Sequence, residues 1–238
     1  MDRAWLDGKE DLAVADDALR SALLFRELDD EAAGALRASM TEVHLSRGET
    51  LFREGDEGDR VYVVTEGKIK LGRTAPDGRE NLLALLGPGQ MFGELSLFDP
   101  GPRSATATAV TDTTLWSLSH ADLTPWLTGR PEVARGLLLQ LASRLRRSND
   151  IQTDLVFSDV PGRVAKQLLD LSTRFGVPSE EGMRVVHDLT QEELAQLVGA
   201  SRETVNKALA DFVSRGWLRL EQRSVVVLDV DRLRRRAR

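Results

Sequence analysis

Side chains able to hydrogen-bond nucleic-acid bases lie close together just after Gly199. They are Arg202, Glu203, Asn206 and Lys207, with the hydroxyls of Ser201 and Thr204 beside them. An arginine can donate to guanine O6 and N7 as a bidentate pair, and a glutamate can accept from cytosine N4. On one exposed face of a helix, this set of groups would fit the base edges of a major groove.

The surrounding sequence predicts the helices that would position these groups. Thr190 and Glu193 have the spacing of a capping box, which predicts the start of a first helix, and Gly199 predicts its end. Ser201 is placed to cap a second helix. Two helices joined by a glycine turn predict a helix-turn-helix, with an ordinary helical hairpin as the alternative. Strands are predicted to follow it as a wing, over Trp217–Leu220 and Ser224–Leu228.

A second candidate site lies in the glycine- and proline-rich tract Phe92–Ala105. Gly93 permits close approach of the backbone, and the N–H groups after it could bind an anion. Arg103 offers a guanidinium fork to a phosphate, Ser104 adds a hydroxyl, and Glu94 could accept a bond from a ribose hydroxyl. The tract therefore predicts a nucleotide-phosphate site. A loop held by an arginine–glutamate ion pair is the alternative.

The composition excludes several other kinds of chemistry. The 238 residues include no cysteine, which excludes a disulfide framework, a thiolate zinc site, an iron–sulfur cluster and a cysteine nucleophile. The three histidines lie far apart and predict no metal site. No apolar run is long enough to cross a membrane, and the acidic first residues lack the apolar core of a signal peptide. We therefore expect a cytoplasmic protein that does not contact membranes and has no catalytic constellation.

The net charge of −6 is unevenly distributed along the chain. From Ser201 onward there are 10 lysines and arginines against 5 acidic residues, whereas the first 158 residues have 18 against 26. A polyanionic partner is therefore expected on the C-terminal part. A solvated basic end is the alternative.

Short apolar runs between residues 41 and 122 alternate with glycine-containing turns. Examples are Val61–Val64, Ile69–Leu71, Leu82–Leu86 and Thr114–Leu118. Short strands at such regular spacing predict an antiparallel roll or jelly roll. Residues before position 41 have helical spacing, as at Leu19, Leu23 and Leu24.

The longest helical pattern begins at Pro131 and carries a heptad-type seam. Its members are Leu138, Leu141, Leu145, Ser148, Gln152 and Leu155. A stripe this narrow usually packs against a copy of itself, so we expect a homodimer. The polar positions in the seam predict either a fixed register or a ligand at the interface, with a plain structural role as the alternative. Residues 159–162 are predicted to break the helix, because proline lacks a backbone donor and glycine is permissive.

The two tracts, in this order and joined by a long helix, resemble the cyclic-AMP receptor protein family, within the wider CRP/FNR regulators. The resemblance runs from about Asp17 to the end of the chain, and the tracts Asp77–Leu82 and Asp159–Ala165 are most similar to actinobacterial members. The absence of cysteine excludes the iron–sulfur branch, and the few histidines argue against the haem branch. The resemblance implies cyclic AMP as the ligand, with no metal, haem or iron–sulfur cluster.

The resemblance implies roles for individual residues. The implied cyclic-AMP ligands are Gly93, Glu94, Arg103, Ser104, Ser148 and Asn149, with Arg144 pairing with Glu94 or the ribose. The implied DNA contacts are Ser201, Arg202, Glu203, Thr204 and Lys207. Ser148 stands where the family has a threonine, so it keeps the hydroxyl and loses the stiffening methyl group. Asp99–Pro102 is more rigid than some loops of the family. Neither departure removes a required group.

The fold class implied is α+β, with a double-stranded β-helix (jelly-roll) cyclic-nucleotide-binding domain, a dimerisation helix and a winged helix-turn-helix. The predicted boundaries are 1–16 for a loose extension, 17–130 for the roll, 131–158 for the dimerisation helix, 159–162 for a hinge and 163–238 for the DNA-binding domain.

The function implied is a cyclic-AMP-responsive homodimeric transcription regulator that binds a palindromic site like TGTGA-N6-TCACA and contacts RNA polymerase. A regulator of the same fold that responds to another nucleotide, or to none, is the nearest alternative. A cyclic-nucleotide-regulated enzyme and a structural cupin-like module are the alternatives from other classes.

Overall fold

A computed structural model describes Ala18, Arg20, Ala22, Phe25 and residues 28–238. The predicted loose extension 1–16 and the predicted helical residues Leu19, Leu23 and Leu24 lie outside these described residues. Two compact units divide the chain. One comprises the chain up to Arg73 with Leu85–Leu145, and the other comprises Thr74–Ala84 with Arg146–Arg238. The domain boundaries expected from the sequence stay predictions.

Helices and antiparallel strands make up the described chain. The helices are α1 Asp30–Ala38, α2 Leu95–Phe98, α3 His120–Gly129, α4 Pro131–Phe157, α5 Val160–Phe175, α6 Gln191–Val198, α7 Arg202–Ser214 and α8 Val230–Arg236. The strands are β1 Thr41–Leu45, β2 Thr50–Phe52, β3 Arg60–Glu66, β4 Ile69–Thr74, β5 Glu80–Leu86, β6 Met91–Phe92, β7 Thr106–Ala109, β8 Thr113–Ser119, β9 Gly176–Ser179, β10 Gly182–Val186, β11 Leu218–Glu221 and β12 Ser224–Val227.

The roll predicted from the short apolar runs is confirmed. Its strands lie in two sheets, ordered β1-β8-β3-β6 and β2-β7-β4-β5. In the first sheet β3 pairs antiparallel with β8, with Val63 opposite Trp116. Strand β3 is buried along most of its length, because its run of valines and a tyrosine leaves no polar face. The roll is thus a rigid frame for the loop between β6 and β7.

The core beside the roll is shared with the helices that flank it. Leu36 of α1, Leu118 of β8, Leu123 of α3 and Leu137 of α4 have no exposed surface and belong to one apolar cluster. Burying a leucine completely contributes about 1.5–3 kcal/mol. This packing fixes the first turns of α4 against the roll.

The predicted long helix is present as α4, and it begins at Pro131 as expected. The face that packs on the roll carries Val133 and Leu137, whereas the seam residues Leu138 and Leu145 are each 63% exposed. Leu138 and Leu145 of the predicted seam therefore form an exposed apolar surface of α4.

The predicted position of the break, residues 159–162, needs correction. Helix α5 begins at Val160, so Pro161 and Gly162 form its first turn and the break lies at Ser158 and Asp159. The Asp159 side chain caps α5 by accepting from Gly162 N at 2.9 Å. Proline is tolerated in a first turn, since its missing N–H would have no intrahelical acceptor there.

The second unit contains a sheet ordered β11-β12-β10-β9. The two predicted wing strands are present as β11 and β12. Strand β9 contains a proline and a glycine and pairs with β10 at the edge of the sheet. Helices α6 and α7 precede the wing, whose turn places Arg223 at φ 58°. The predicted winged helix-turn-helix arrangement is therefore present.

Candidate functional site

The Arg103 guanidinium lies buried between backbone carbonyls and aromatic rings. Its Nη1 donates to the carbonyl oxygen of Gly93 at 3.0 Å, and its Nη2 donates to that of Arg60 at 2.9 Å. The guanidinium carbon lies 4.4 Å from the ring centre of Phe52. Burial lowers the pKa of Arg103, and the neighbouring Tyr62 opposes that shift. Because arginine titrates so high, the group stays charged and can hold an anion.

One donor of Arg103 has no acceptor. Its Nε is buried and makes no hydrogen bond within the described chain. A buried donor without a partner costs about 1–3 kcal/mol. An anion that accepts from this side of the guanidinium would remove that cost.

Glu94 and Arg144 form the ion pair that the sequence predicted as one of two possibilities. Arg144 Nη1 lies 2.5 Å from Glu94 Oε1, and Glu94 has no exposed surface. Arg144 also donates to the carbonyl oxygen of Met91 at 3.0 Å. The second carboxylate oxygen of Glu94, Oε2, is buried without a hydrogen-bond partner in the described chain. It is therefore free to accept from a hydroxyl.

Gly93 lies directly against Arg103 in the left-handed region, at φ 83°. A Cβ atom at this position would lie 2.8 Å from Arg103 Nη1 and 3.0 Å from the carbonyl oxygen of Arg60. A side chain would therefore be strained and would displace the guanidinium. The backbone at Gly93 therefore lies close to the Arg103 guanidinium. Its predicted approach to a bound anion stays a prediction.

Predicted residues Gly93, Arg103 and Ser104 line one open pocket with about 380 Å³ of empty space, and Arg144 completes it. Its remaining lining residues are Phe52, Leu71, Phe92, Leu95, Ser96, Pro102 and Ala105. Polar groups from a loop and a helix thus converge on an apolar floor, which suits a ligand with one charged and one aromatic part.

The sequence did not single out two residues of this pocket, Ser96 and Phe52. Ser96 Oγ donates to the carbonyl oxygen of Gly93 at 3.2 Å and lies 3.4 Å from Arg103 Nη1. Phe52 supplies the ring under Arg103. The serine follows Glu94 by two positions and was a detectable candidate, whereas Phe52 belongs to a different strand with no polar motif around it.

Ser148 and Asn149 are exposed side chains of α4 in the second compact unit. Their predicted role as nucleotide ligands stays a prediction.

The helix-turn-helix is held by the caps that the sequence predicted. Thr190 and Glu193 form the complete capping box at the start of α6. Gly199 ends that helix at φ 70°, and Ser201 caps α7 by accepting from Thr204 N at 3.3 Å. Arg163 of α5 donates to the carbonyl oxygen of Gly199 at 3.1 Å. The turn between the helices is therefore fixed from both sides.

The start of α7 exposes the predicted DNA-contacting side chains. Ser201, Arg202, Glu203, Thr204 and Lys207 are all exposed. Lys207 Nζ lies 2.8 Å from Glu203 Oε1, one turn away along the helix. The expectation that Asn206 is equally exposed is wrong. It is half-buried, and its Oδ1 is buried without a hydrogen-bond partner in the described chain.

Two further features are absent from the described residues. No helix among them is long and apolar enough to cross a membrane. In the same part of the chain, no group of three or more histidine, cysteine, aspartate or glutamate side chains is placed to hold a metal ion.

Two known domain families match this chain, one over each of the two sites described above. Residues 42–128 match the cyclic nucleotide-binding domain, and residues 162–236 match the Crp-like helix-turn-helix domain. The first range contains most of the pocket around Arg103, and the second contains α6 and α7.

Curated relatives match most of the chain. A CRP-like cAMP-activated global transcriptional regulator of Mycobacterium tuberculosis is 56% identical over 223 residues, which cover 94% of this chain and all of the relative. The cyclic AMP receptor protein of Thermus thermophilus is 41% identical over 182 residues, which cover 76% of this chain and 81% of the relative.

The fold is also similar to that of solved regulator structures. FixK2 from Bradyrhizobium japonicum superposes with a TM-score of 0.74 at 25% identity, covering 82% of this chain and 96% of that one. The c-di-GMP-responsive regulator CLP of Xanthomonas campestris superposes with a TM-score of 0.73 at 26% identity, covering 84% and 99%.

Proposed function

The chain belongs to the CRP-like family of transcription regulators, and from that premise we propose that it binds cyclic AMP at the pocket around Arg103 and DNA through α7. The M. tuberculosis relative, named as cAMP-activated, supports the choice of nucleotide. Relatives of this family are regulators rather than enzymes, and we assign no catalytic residue.

The observation that carries the nucleotide proposal is a pair of buried atoms without hydrogen-bond partners in the described chain, Arg103 Nε and Glu94 Oε2. Arg103 lines the pocket, whereas Glu94 lies behind it, between the lining residues Gly93 and Leu95 in the sequence. A donor on a buried cation and an acceptor on a buried carboxylate match a phosphate and an adjacent sugar hydroxyl. In this proposal Arg103 and Ser104 hold the cyclic phosphate, Glu94 accepts from the ribose 2′-OH, and Gly93 lets the backbone approach.

Helix α4 is proposed to have two roles. Its exposed leucines, such as Leu138 and Leu145, support a homodimer formed along the seam. Ser148 and Asn149 are proposed to contact the adenine, with Asn149 reaching from the opposite protomer. Nucleotide binding would then favour the DNA-competent arrangement by the difference in its affinity for the two states.

The proposed DNA site is two-fold symmetric and resembles TGTGA-N6-TCACA. Two recognition helices in a dimer require half-sites about one helical turn apart, roughly 34–36 Å. Arg202 would read a guanine and Glu203 a cytosine, Lys207 would reach a second guanine or a phosphate, and Ser201 and Thr204 would contact phosphates. We propose a cytoplasmic location, because the DNA that such a regulator binds lies there. RNA polymerase is its proposed protein partner.

Calorimetric titration with cyclic AMP, cyclic GMP and cyclic di-GMP tests the nucleotide. We expect saturable binding of cyclic AMP, one nucleotide per protomer, and a loss of at least 100-fold in affinity for Arg103→Leu, because each charge-assisted bond is worth about 1.5–3 kcal/mol. The matched control is Arg47→Leu, an exposed arginine of the same unit, which should bind as the parent does. Equal affinity in the parent and Arg103→Leu would refute the pocket assignment.

Sedimentation and DNA binding test the rest of the proposal. Leu145→Glu should shift the protein toward monomer and abolish binding to the palindrome, whereas Leu83→Glu, an exposed leucine of the roll, should leave both unchanged.

The alternative is a regulator of the same fold that responds to another nucleotide or to none. The c-di-GMP-responsive CLP protein favours keeping it, because it shares this fold. In the titration above, preferential binding of cyclic di-GMP, or no binding at all combined with tight DNA binding, would establish the alternative.

A further inference from the structure

The end of the chain, residues 229–238, carries a concentration of positive charge. It contains five arginines and two aspartates. Two of the arginines pair locally, Arg232 with Asp229 at 3.1 Å and Arg234 with Asp231 at 3.5 Å. Arg235 and Arg238 are exposed and make no ion pair within the described part of the chain. We call residues 232–238 the C-terminal arginine cluster.

The cluster is anchored, and the unpaired Arg235 points away from the buried side of α8. Leu233 of α8 has no exposed surface. Arg236 Nη2 lies 2.5 Å from Asp159 Oδ2, on the same carboxylate that caps α5. Arg235 follows Leu233 by two residues, which places it roughly 200° around the helix from the buried side. The helix is therefore fixed, with Arg235 directed outward.

The anchor connects the cluster, through the start of α5, to the turn of the helix-turn-helix. Asp159 and Arg163 are one turn apart at the start of α5. Arg163 donates to the carbonyl oxygens of Val198 at 3.2 Å and Gly199 at 3.1 Å. Gly199 is the turn that leads into Ser201 and α7. A short chain of contacts within one compact unit thus connects Arg236 to the residues before the exposed start of α7.

We propose that the C-terminal arginine cluster contacts the phosphodiester backbone of the DNA that α7 reads, so that it adds affinity without adding sequence specificity. Phosphates suit this surface because arginine binds them bidentately and a cluster of like charges attracts a polyanion. Arginines beside a DNA-facing edge extend the electrostatic footprint beyond the recognition helix. The proposal rests on the proposed DNA-binding function.

The experiment measures DNA affinity against salt for the full chain with cyclic AMP present. The variant is Arg234→Gln/Arg235→Gln, which leaves Leu233 and the Arg236–Asp159 anchor in place. The probes are a duplex with the palindrome and an unrelated duplex of equal length. We expect binding to both duplexes to weaken by the same factor. The slope of log affinity against log salt should flatten by about 0.9 for each phosphate that the variant no longer neutralises.

The matched control is Arg47→Gln/Arg53→Gln, which removes two exposed arginines from the first unit and should leave the slope unchanged. Thermal unfolding checks that both double variants fold as the parent does. If the slope is unchanged in Arg234→Gln/Arg235→Gln while Arg202→Ala still weakens binding to the palindrome, this inference is wrong and the proposed DNA-binding function stands. The cluster would then be a candidate binding surface for an acidic protein instead. If the parent binds neither duplex, the proposed function fails and the inference with it.

Discussion

Arg144 Nη1 lies 2.5 Å from Oε1 of Glu94, a fully buried carboxylate whose other oxygen has no hydrogen-bond partner in the described chain. The pair joins α4 to the loop after β6, so it stabilises the fold even without a ligand. Arg144→Ala would leave the Glu94 charge buried and uncompensated. Because Arg144 is about one-third exposed, we expect a loss of about 1–3 kcal/mol, below the usual 3–5 kcal/mol for a fully buried pair.

Urea unfolding measures this loss, and a second substitution identifies its cause. In Arg144→Ala/Glu94→Gln the buried charge is absent, so part of the stability should return. If the double variant is no more stable than Arg144→Ala, the buried charge is not what makes the loss of Arg144 costly.

Gly93→Ala should damage the pocket more than the fold. The left-handed backbone costs a non-glycine residue about 1–2 kcal/mol, and the new Cβ would in addition displace Arg103. We expect the affinity for cyclic AMP in calorimetry to fall at least tenfold. Gly48→Ala is the matched control, because Gly48 has nearly the same φ, 84°, with nothing within 4 Å of the added Cβ. It should lose similar stability and keep nucleotide affinity. Equal affinities for the two variants would contradict the close approach.

Arg202→Ala and Lys207→Ala should have different effects on DNA binding. Arg202 is exposed with its fork available, so its loss should cost about 1–3 kcal/mol per half-site and relax the preference at one base pair. Lysine is a point charge, so its loss should weaken binding to all sequences and flatten the salt dependence. Selection of binding sites from random DNA separates the two. An unaltered sequence preference with Arg202→Ala would mean that another residue reads the base.

Ser148→Ala should weaken the response to nucleotide while leaving dimerisation intact. The hydroxyl lies at one of the two polar positions of the seam, the other being Gln152, and it can bond an adenine edge. We expect a smaller gain in DNA affinity on adding cyclic AMP, measured by fluorescence anisotropy with and without the nucleotide. Ser143→Ala, also an exposed serine of α4, is the control and should respond as the parent does. A full response in Ser148→Ala would exclude this contact as the switch.

The pH dependence of stability should include a contribution from Asp159. The hydrogen bond from Arg236, followed by that from Gly162 N–H, lowers the pKa of Asp159 below its ordinary 3.8. The folded state therefore holds the ionised form more tightly, and this stabilisation is fully present above pH 3.8 and lost as pH falls through the lower folded value. Compared with the parent, Asp159→Asn should be less stable from about pH 5 to 8, and the difference should shrink below about pH 4. A difference independent of pH would refute the ionic part of the interaction.

The helix-turn-helix could be predicted to the residue because its signals are local. The capping box at Thr190, the left-handed Gly199 and the cap at Ser201 each act within four residues, and all three are present. The surroundings of Arg103 could not be predicted in the same way. Its acceptors are carbonyls of Gly93 and Arg60, and every residue has a carbonyl, so only the folded chain shows which ones Arg103 meets.

The start of α5 is another feature that the sequence did not predict correctly. The sequence predicted a break across Pro161 and Gly162, since both residue types are poor in helix interiors. Asp159 caps the helix from outside, and this moves both residues into a first turn, where neither is costly. Asp159, whose side chain sets the start of α5, therefore precedes Pro161 and Gly162, the two residues from which the break was predicted.

The Glu203–Lys207 pair cancels two of the charges at the exposed start of α7 before it meets DNA. A surface with little net charge exerts little attraction at long range, so initial capture of DNA would depend on charge elsewhere in the domain, while α7 would act only after contact. On contact, Lys207 would exchange Glu203 for a phosphate or a guanine, and Glu203 would be released to accept from a cytosine. A sequence without that cytosine would leave the glutamate without a new partner. The initial capture of DNA and the recognition of its sequence would then be performed by different residues. A substitution could alter one of these two steps without altering the other.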